Sequence, residues 1–210
     1  INNTGKFKLT SGIINAAEGY TYGINNSEDG KIIIDGGEIS GNIDGINTLG
    51  ETVVNNGNIY GYSFAIKASN NANVTITNGT LTSNTNAVLN EGSGTVTISG
   101  GTLNANTIVK NTSSGIINIK DNAMLSTSGS GKTAILNEGS GKVNFMGGTI
   151  SMNTSGYCID NKTTGKIVIS GGFINISGYG GNYGRFIRNY QNGEILITGG
   201  TIDTTISNNN

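Results

Sequence analysis

The sequence predicts an all-β solenoid, a stack of short coils in which each coil covers the apolar edge of the one before. Three observations carry this. The stretch from Val88 to Leu103, VLNEGSGTVTISGGTL, returns nearly unchanged from Ile135 to Ile150 as ILNEGSGKVNFMGGTI, and the rest of the chain is a looser copy of it. Within each copy, apolar residues alternate with polar ones, the period of a strand with one buried face. The chain also holds 35 Gly and no Pro, so its corners are made by residues that bend freely while none removes a backbone donor. One such unit cannot bury its own apolar edge, and self-similarity at this period is the mark of stacked repeats.

The template has three apolar pieces. Val88-Leu89-Asn90 comes first, then the alternating Val96-x-Ile98, then a Gly100-Gly101 corner and a short piece around Leu103. Val96, Ile98 and Leu103 can face one interior while Thr95, Thr97, Ser99 and Thr102 face out. Coils then begin near Ile1, Ile24, Ile46, Ile66, Val88, Val109, Ile135, Ile159 and Ile187, about nine in all. The inward middle strand reads Phe7/Leu9, Ile32/Ile34, Thr52/Val54, Val74/Ile76, Val96/Ile98, Ile117/Ile119, Val143/Phe145, Ile167/Ile169 and Ile195/Ile197. Only Thr52 breaks it. The third strand supplies Ile39, Ile59, Leu81, Leu103, Met124, Ile150, Ile174 and Ile202.

Two residues after each coil start runs a second column: Asn3, Asn26, Asn90, Asn111, Asn137, Asn161 and Asn189, with Thr48 and Ala68 in the remaining coils. Asn tolerates the left-handed backbone of a sharp turn, and stacked carboxamides can hydrogen-bond from coil to coil. This column reads as an internal Asn ladder, which would close the sequons at Asn111 and Asn161 to glycosylation. The lone Cys158 shares a column with Ala65, Ala87 and Ala134 and reads as a small packed side chain. The Gly-Gly corners, such as Gly147-Gly148 and Gly171-Gly172, permit a positive φ; no helix follows them, so they are not phosphate loops.

The formal net charge is −1, which offers nothing to nucleic acid or an anionic membrane. There is no run long and apolar enough for membrane insertion, and no signal peptide is visible. The chain starts directly in repeat pattern, so a single domain over 1–210, excised from a longer repeat protein with neighbouring domains, is the expectation. No His is present, which removes His-based acid–base and metal chemistry.

Three strands per coil, an Asn ladder and Gly-rich corners resemble the right-handed parallel β-helix of the pectate-lyase-like superfamily. The I-x-I-x-G-G-T-I wording, as in Ile167-x-Ile169-x-Gly171-Gly172, is similar to the pectate-lyase-like adhesive domains of bacterial surface proteins. The resemblance implies an extracellular protein, secreted or attached to the cell wall, that binds polysaccharide or a host-surface glycan or protein, or serves as a stalk. It needs no cofactor. The same superfamily holds polysaccharide lyases and glycoside hydrolases, whose Ca²⁺-binding carboxylates or grouped Asp residues should gather on neighbouring coils. Asp35, Glu38, Glu51, Asp160, Glu194 and Asp203 are scattered instead, and Glu91 and Glu138 share a column two coils apart with Thr112 between. No catalytic or metal-binding residue is therefore assigned.

Binding has better material. GYGGNYGRF, from Gly178 to Phe186, precedes the Ile187 strand, with Tyr157 one coil earlier and Tyr190 in the next turn. Tyr rings on Gly-rich backbone suit stacking against sugars. The candidate contact set is Tyr157, Tyr179, Asn182, Tyr183, Arg185 and Tyr190. Arg188 stacks one coil beyond Asp160, which reads as a weak surface ion pair. Outward Thr75, Thr77, Thr97 and Thr102 suggest an ice-binding lattice, but Lys8, Ile33, Asn118 and Leu196 interrupt it, and the β-propensity of Thr accounts for it.

Overall fold

Each template copy folds as three short parallel strands separated by tight turns. In the computed structural model, which describes residues 1–16, 18–19, 21–178 and 185–205, the copy at Val88 forms strands Asn86–Asn90, Thr95–Ile98 and Thr102–Asn104. The first strands of all coils stack into a nine-stranded sheet from Asn2–Asn3 to Arg185–Asn189, so the chain winds eight full turns between them. Middle and third strands stack likewise and join into one network through Lys166–Ser177, a single strand that spans both positions. The final strand, Glu194–Thr205, does the same. Every neighbour pairing is parallel, and the fold is a right-handed parallel β-solenoid with no helix among the described residues.

Register follows the sequence columns. Ile66 pairs with Val88, Val88 with Val109, and Ile135 with Ile159. Val96 lies between Val74 and Ile117, all buried. Each fully buried Ile or Val in such a column contributes about 2 kcal/mol of transfer free energy, and its neighbours above and below exclude the water. Cys158 is buried in the core beside Ile159, and burial pushes its thiol pKa up, well away from thiolate chemistry.

One column shifts by a residue. Leu125, not Met124, pairs with Leu103 and Ile150 and is fully buried, whereas Met124 is half exposed. The corner before it carries Ala123 where other coils have a positive-φ Gly, so sequence punctuation does not mark which of two adjacent apolar residues turns inward. Elsewhere the corners behave as expected: Gly101 has φ +83°, and a Cβ there would lie 2.7 Å from Gly79 O of the coil below. The glycines of the NEGSG turn serve close approach instead. A Cβ at Gly139 would stand 2.2 Å from Ser113 O.

The Asn column is a ladder with two interruptions. Asn3 Nδ2 donates to Asn26 Oδ1 at 2.7 Å, and Asn26 Nδ2 to Thr48 Oγ1 at 3.0 Å. Thr52, the polar residue in an apolar column, donates its hydroxyl to Thr48 Oγ1 at 3.0 Å and is fully buried. Thr48 and Thr52 thus close the first run where Ala68 offers no partner. A second run links Asn111, Asn137, Asn161 and Asn189 through bonds of 2.9, 3.0 and 2.9 Å. Asn90 sits in register with Asn111 but makes its side-chain bonds to Gly92 N and Gly94 O. Asn111 Oδ1 is left buried without a partner among the described residues.

Candidate functional site

The outer face of the first sheet carries most of the charge near the predicted contact residues. Between the inward residues at coil start and ladder lies one outward position: Lys67, Leu89, Lys110, Leu136, Asp160 and Arg188 follow one another in register. Leu89 and Leu136 lie outside the central apolar core yet are 6% and 7% exposed, flanked in register by the longer side chains of Lys67 and Lys110 and by Asp160. Those side chains are tied in pairs. Lys67 meets Glu91 at 3.0 Å, while Glu138 bridges Lys110 at 2.8 Å and Lys162 at 2.9 Å. Burial pulls the Glu138 carboxyl up, but hydrogen bonds and charge from Lys110 and Lys162 outweigh it and hold the pKa below its ordinary value.

At the C-terminal end of this face, Asp160 is engaged by Arg188 in a bidentate fork. Arg188 Nε donates to Oδ1 at 2.8 Å, and Nη2 to Oδ2 at 2.5 Å. The Asp160 side chain is only 5% exposed, so the weak surface ion pair expected from the sequence is instead a buried carboxylate held by one arginine. The Arg188 guanidinium also lies 4.2 Å from the centroid of the Tyr157 ring. Arg185 lies over the same ring at 5.4 Å and donates from Nη1 to Tyr157 Oη at 3.4 Å. The hydrogen bonds to Asp160 raise the Arg188 pKa still further, so this cation stays charged at any pH the fold survives.

The structure therefore brings Tyr157 and Arg185 together, in register across adjacent strands. It also adds Arg188 and Asp160 to them. Tyr190 stands 59% exposed one residue past the ladder, and its backbone N–H donates to Asn161 O. Tyr179, Asn182 and Tyr183 lie outside the described residues. Two guanidinium groups lie over the Tyr157 ring, so among the described residues of this group the open aromatic face belongs to Tyr190, and the exposed cation is Arg185. The tail of Arg188 is spent on Asp160.

A second concavity lies on the outer side of the third strands. There the strands Met124–Gly129 and Thr149–Thr154 run longer than their predecessors. A channel of about 400 Å³ opens between Asn104, Ser126, Ser128, Ser151, Asn153 and Ser177. It continues toward Asn84 and Asn106, where Lys132 donates to Asn106 Oδ1. Hydroxyls and carboxamides line it.

Among the described residues no three His, Cys, Asp or Glu side chains converge to hold a metal ion. Asp44 is an isolated case. It is buried, its Oδ1 has no hydrogen-bond partner among the described residues, and desolvation pushes its pKa up to about 6 against the opposing pull of Lys67. No signal in the sequence distinguishes Asp44 from an ordinary outward carboxylate.

Comparison with protein-family models, with curated proteins and with solved structures gave no match to this chain.

Proposed function

We propose that the chain is a rigid segment of an extracellular, secreted or wall-attached adhesin-like β-helix that contacts polysaccharide or a host-surface glycan through the C-terminal end of its first sheet. One observation carries the reading: exposed Arg185 is positioned over Tyr157 beside a buried Asp160–Arg188 fork, and the turn that follows the same strand exposes Tyr190. A cation held in place by its own aromatic partner, on a face that also exposes a tyrosine ring, meets sugars with little ordering cost on binding. The likeness of the coil wording to pectate-lyase-like adhesive domains supports the same assignment. Binding is proposed without catalysis, because Glu91, Glu138 and Asp160 each neutralise a Lys or Arg of this face.

The test is binding of the chain to a broad glycan panel beside an Arg185→Ala, Tyr190→Ala variant. Loss of a specific signal in the variant supports the reading, whereas absence of any signal in the native chain leaves a stalk. The hydroxyl-lined channel favours a second reading, in which a neutral polysaccharide lies along the third strands. Binding that survives the Arg185/Tyr190 change but is lost in Ser128→Ala, Asn153→Ala selects it.

A further inference from the structure

Asn is followed directly by Gly three times in the chain, at Asn56-Gly57, Asn78-Gly79 and Asn192-Gly193. Such a pair carries its own nucleophile. The glycine nitrogen can attack the asparagine carboxamide carbon and close a succinimide ring, and a residue without a side chain puts nothing in the way. Folding decides which of the three react, because it sets what holds that nitrogen.

Asn56 and Asn78 occupy the same corner of adjacent coils, between the strands Glu51–Val54 and Asn58–Gly61 and between Asn73–Ile76 and Thr80–Ser83. Both asparagines are exposed and both glycines half-buried. The hydrogen bonds of these corners pass around the glycine nitrogen. Asn56 N donates to Ile34 O at 3.2 Å and Asn58 N to Gly37 O at 2.9 Å, while Thr77 N donates to Val54 O and Thr80 N to Gly57 O, both at 2.8 Å. Gly57 N and Gly79 N have no partner among the described residues. The following coil leaves them uncovered too: a Cβ on Gly79 would lie 3.2 Å from Gly57 N, and one on Gly101 would lie 3.2 Å from Gly79 N. Gly193 is held in the opposite way. Its N–H donates to Tyr190 O at 3.4 Å, and a Cβ there would stand 2.3 Å from both Asn161 Nδ2 and Thr163 O, so its backbone rests against the ladder and the preceding turn.

We propose that Asn56 and Asn78 are self-modification sites of the folded chain, while its fold protects Asn192. The glycine nitrogen loses its proton to solvent base and bonds to the asparagine Cγ, the Cγ–Nδ2 bond breaks, and ammonia leaves. Water then opens the succinimide at either carbonyl. One product is aspartate; the other is isoaspartate, whose backbone runs through the former side chain. Each conversion puts a carboxylate on a corner that was neutral at that position, and the iso form adds a backbone methylene where Thr80 N and Gly57 O join neighbouring coils. The proposal rests on the corner geometry and is independent of glycan binding.

Incubation of the full chain in mildly alkaline buffer tests it, with peptide mass spectrometry and an isoaspartate assay at each site, beside Asn56→Gln and Asn78→Gln. The variants act on the asparagines because Gly57, at φ +114°, would be strained by any side chain. Circular dichroism verifies that the chain stays folded throughout. Asn56 and Asn78 should each convert about tenfold faster than Asn192, which must wait for local opening. In guanidinium the three rates should converge. Each Gln variant should lose the signal at its own site alone, since glutamine has a larger and slower ring to close. A folded chain in which either site converts no faster than Asn192, or a difference in rate that persists in guanidinium, overturns the proposal.

Discussion

Replacing Asn137 by Ala measures what the ladder contributes. Asn137 is fully buried. Its Oδ1 accepts from Asn111 Nδ2 at 2.9 Å, and its Nδ2 donates to Asn161 Oδ1 at 3.0 Å and Gly141 O at 3.3 Å. Two of these partners keep another bond: Asn111 Nδ2 also donates to Ser113 O, and Gly141 O also accepts from Lys166 N. Asn161 Oδ1 takes no other hydrogen bond among the described residues. One orphaned buried acceptor costs about 2 kcal/mol and each of the other two lost bonds about 1 kcal/mol, so the expected loss is about 4 kcal/mol. Urea unfolding followed by circular dichroism reads it as a lower midpoint at unchanged slope. Asn90 is the control, since it occupies the same column without a side-chain bond to Asn111. Asn90→Ala should cost about 2 kcal/mol, for its bonds to Gly92 N and Gly94 O alone. Equal losses at the two positions, or a loss below about 1 kcal/mol at Asn137, would refute the claim that the ladder acts through coil-to-coil bonds.

Three further outcomes follow from the buried polar groups. Asp44, with its pKa raised to about 6, binds a proton more tightly folded than unfolded, so its contribution to stability is full below pH 4 and is lost as pH rises through about 6. Asp44→Asn should remove that dependence and, after allowance for screening, raise stability at pH 7 by about 2 kcal/mol in urea titrations at pH 4.0 and 7.0, these two values being chosen on either side of about 6. Arg188→Ala leaves the Asp160 carboxylate buried with only Lys162 at 4.0 Å and should lower stability by about 3 kcal/mol, most of which Asp160→Asn in the same chain restores. Cys158 should resist alkylation in the native chain and react at once in denaturant, because the thiol is buried and its pKa raised.

What the sequence made legible was whatever repeats. Ile66, Val88 and Val109 announce coil starts because an apolar pair followed by a polar ladder position recurs, and all these positions pair as the columns require. Met124 was read for Leu125 because both are apolar and Ala123 replaces the glycine that marks the corner elsewhere; one residue of register then rests on packing alone. The Thr52–Thr48 bond was invisible for a different reason. It compensates a missing Asn with a residue four positions away on another strand. At the candidate site, Asp160 and Arg188 are legible as neighbours, but the bidentate fork and the burial of Asp160 are not, since the sequence marks neither how two side chains 28 residues apart meet nor how deep the carboxylate lies. Asp44 shares its column with Phe64 and Asn86, residues too unlike it to signal a buried carboxylate.

The Asn ladder holds the coils in register, and side-chain amide NMR of the chain tests this directly. Asn111, Asn137 and Asn161 should show slowly exchanging carboxamide protons with cross-relaxation between residues 26 and 24 positions apart. Rapid exchange of all three, with no contact between them, would contradict the stacked register on which the site depends.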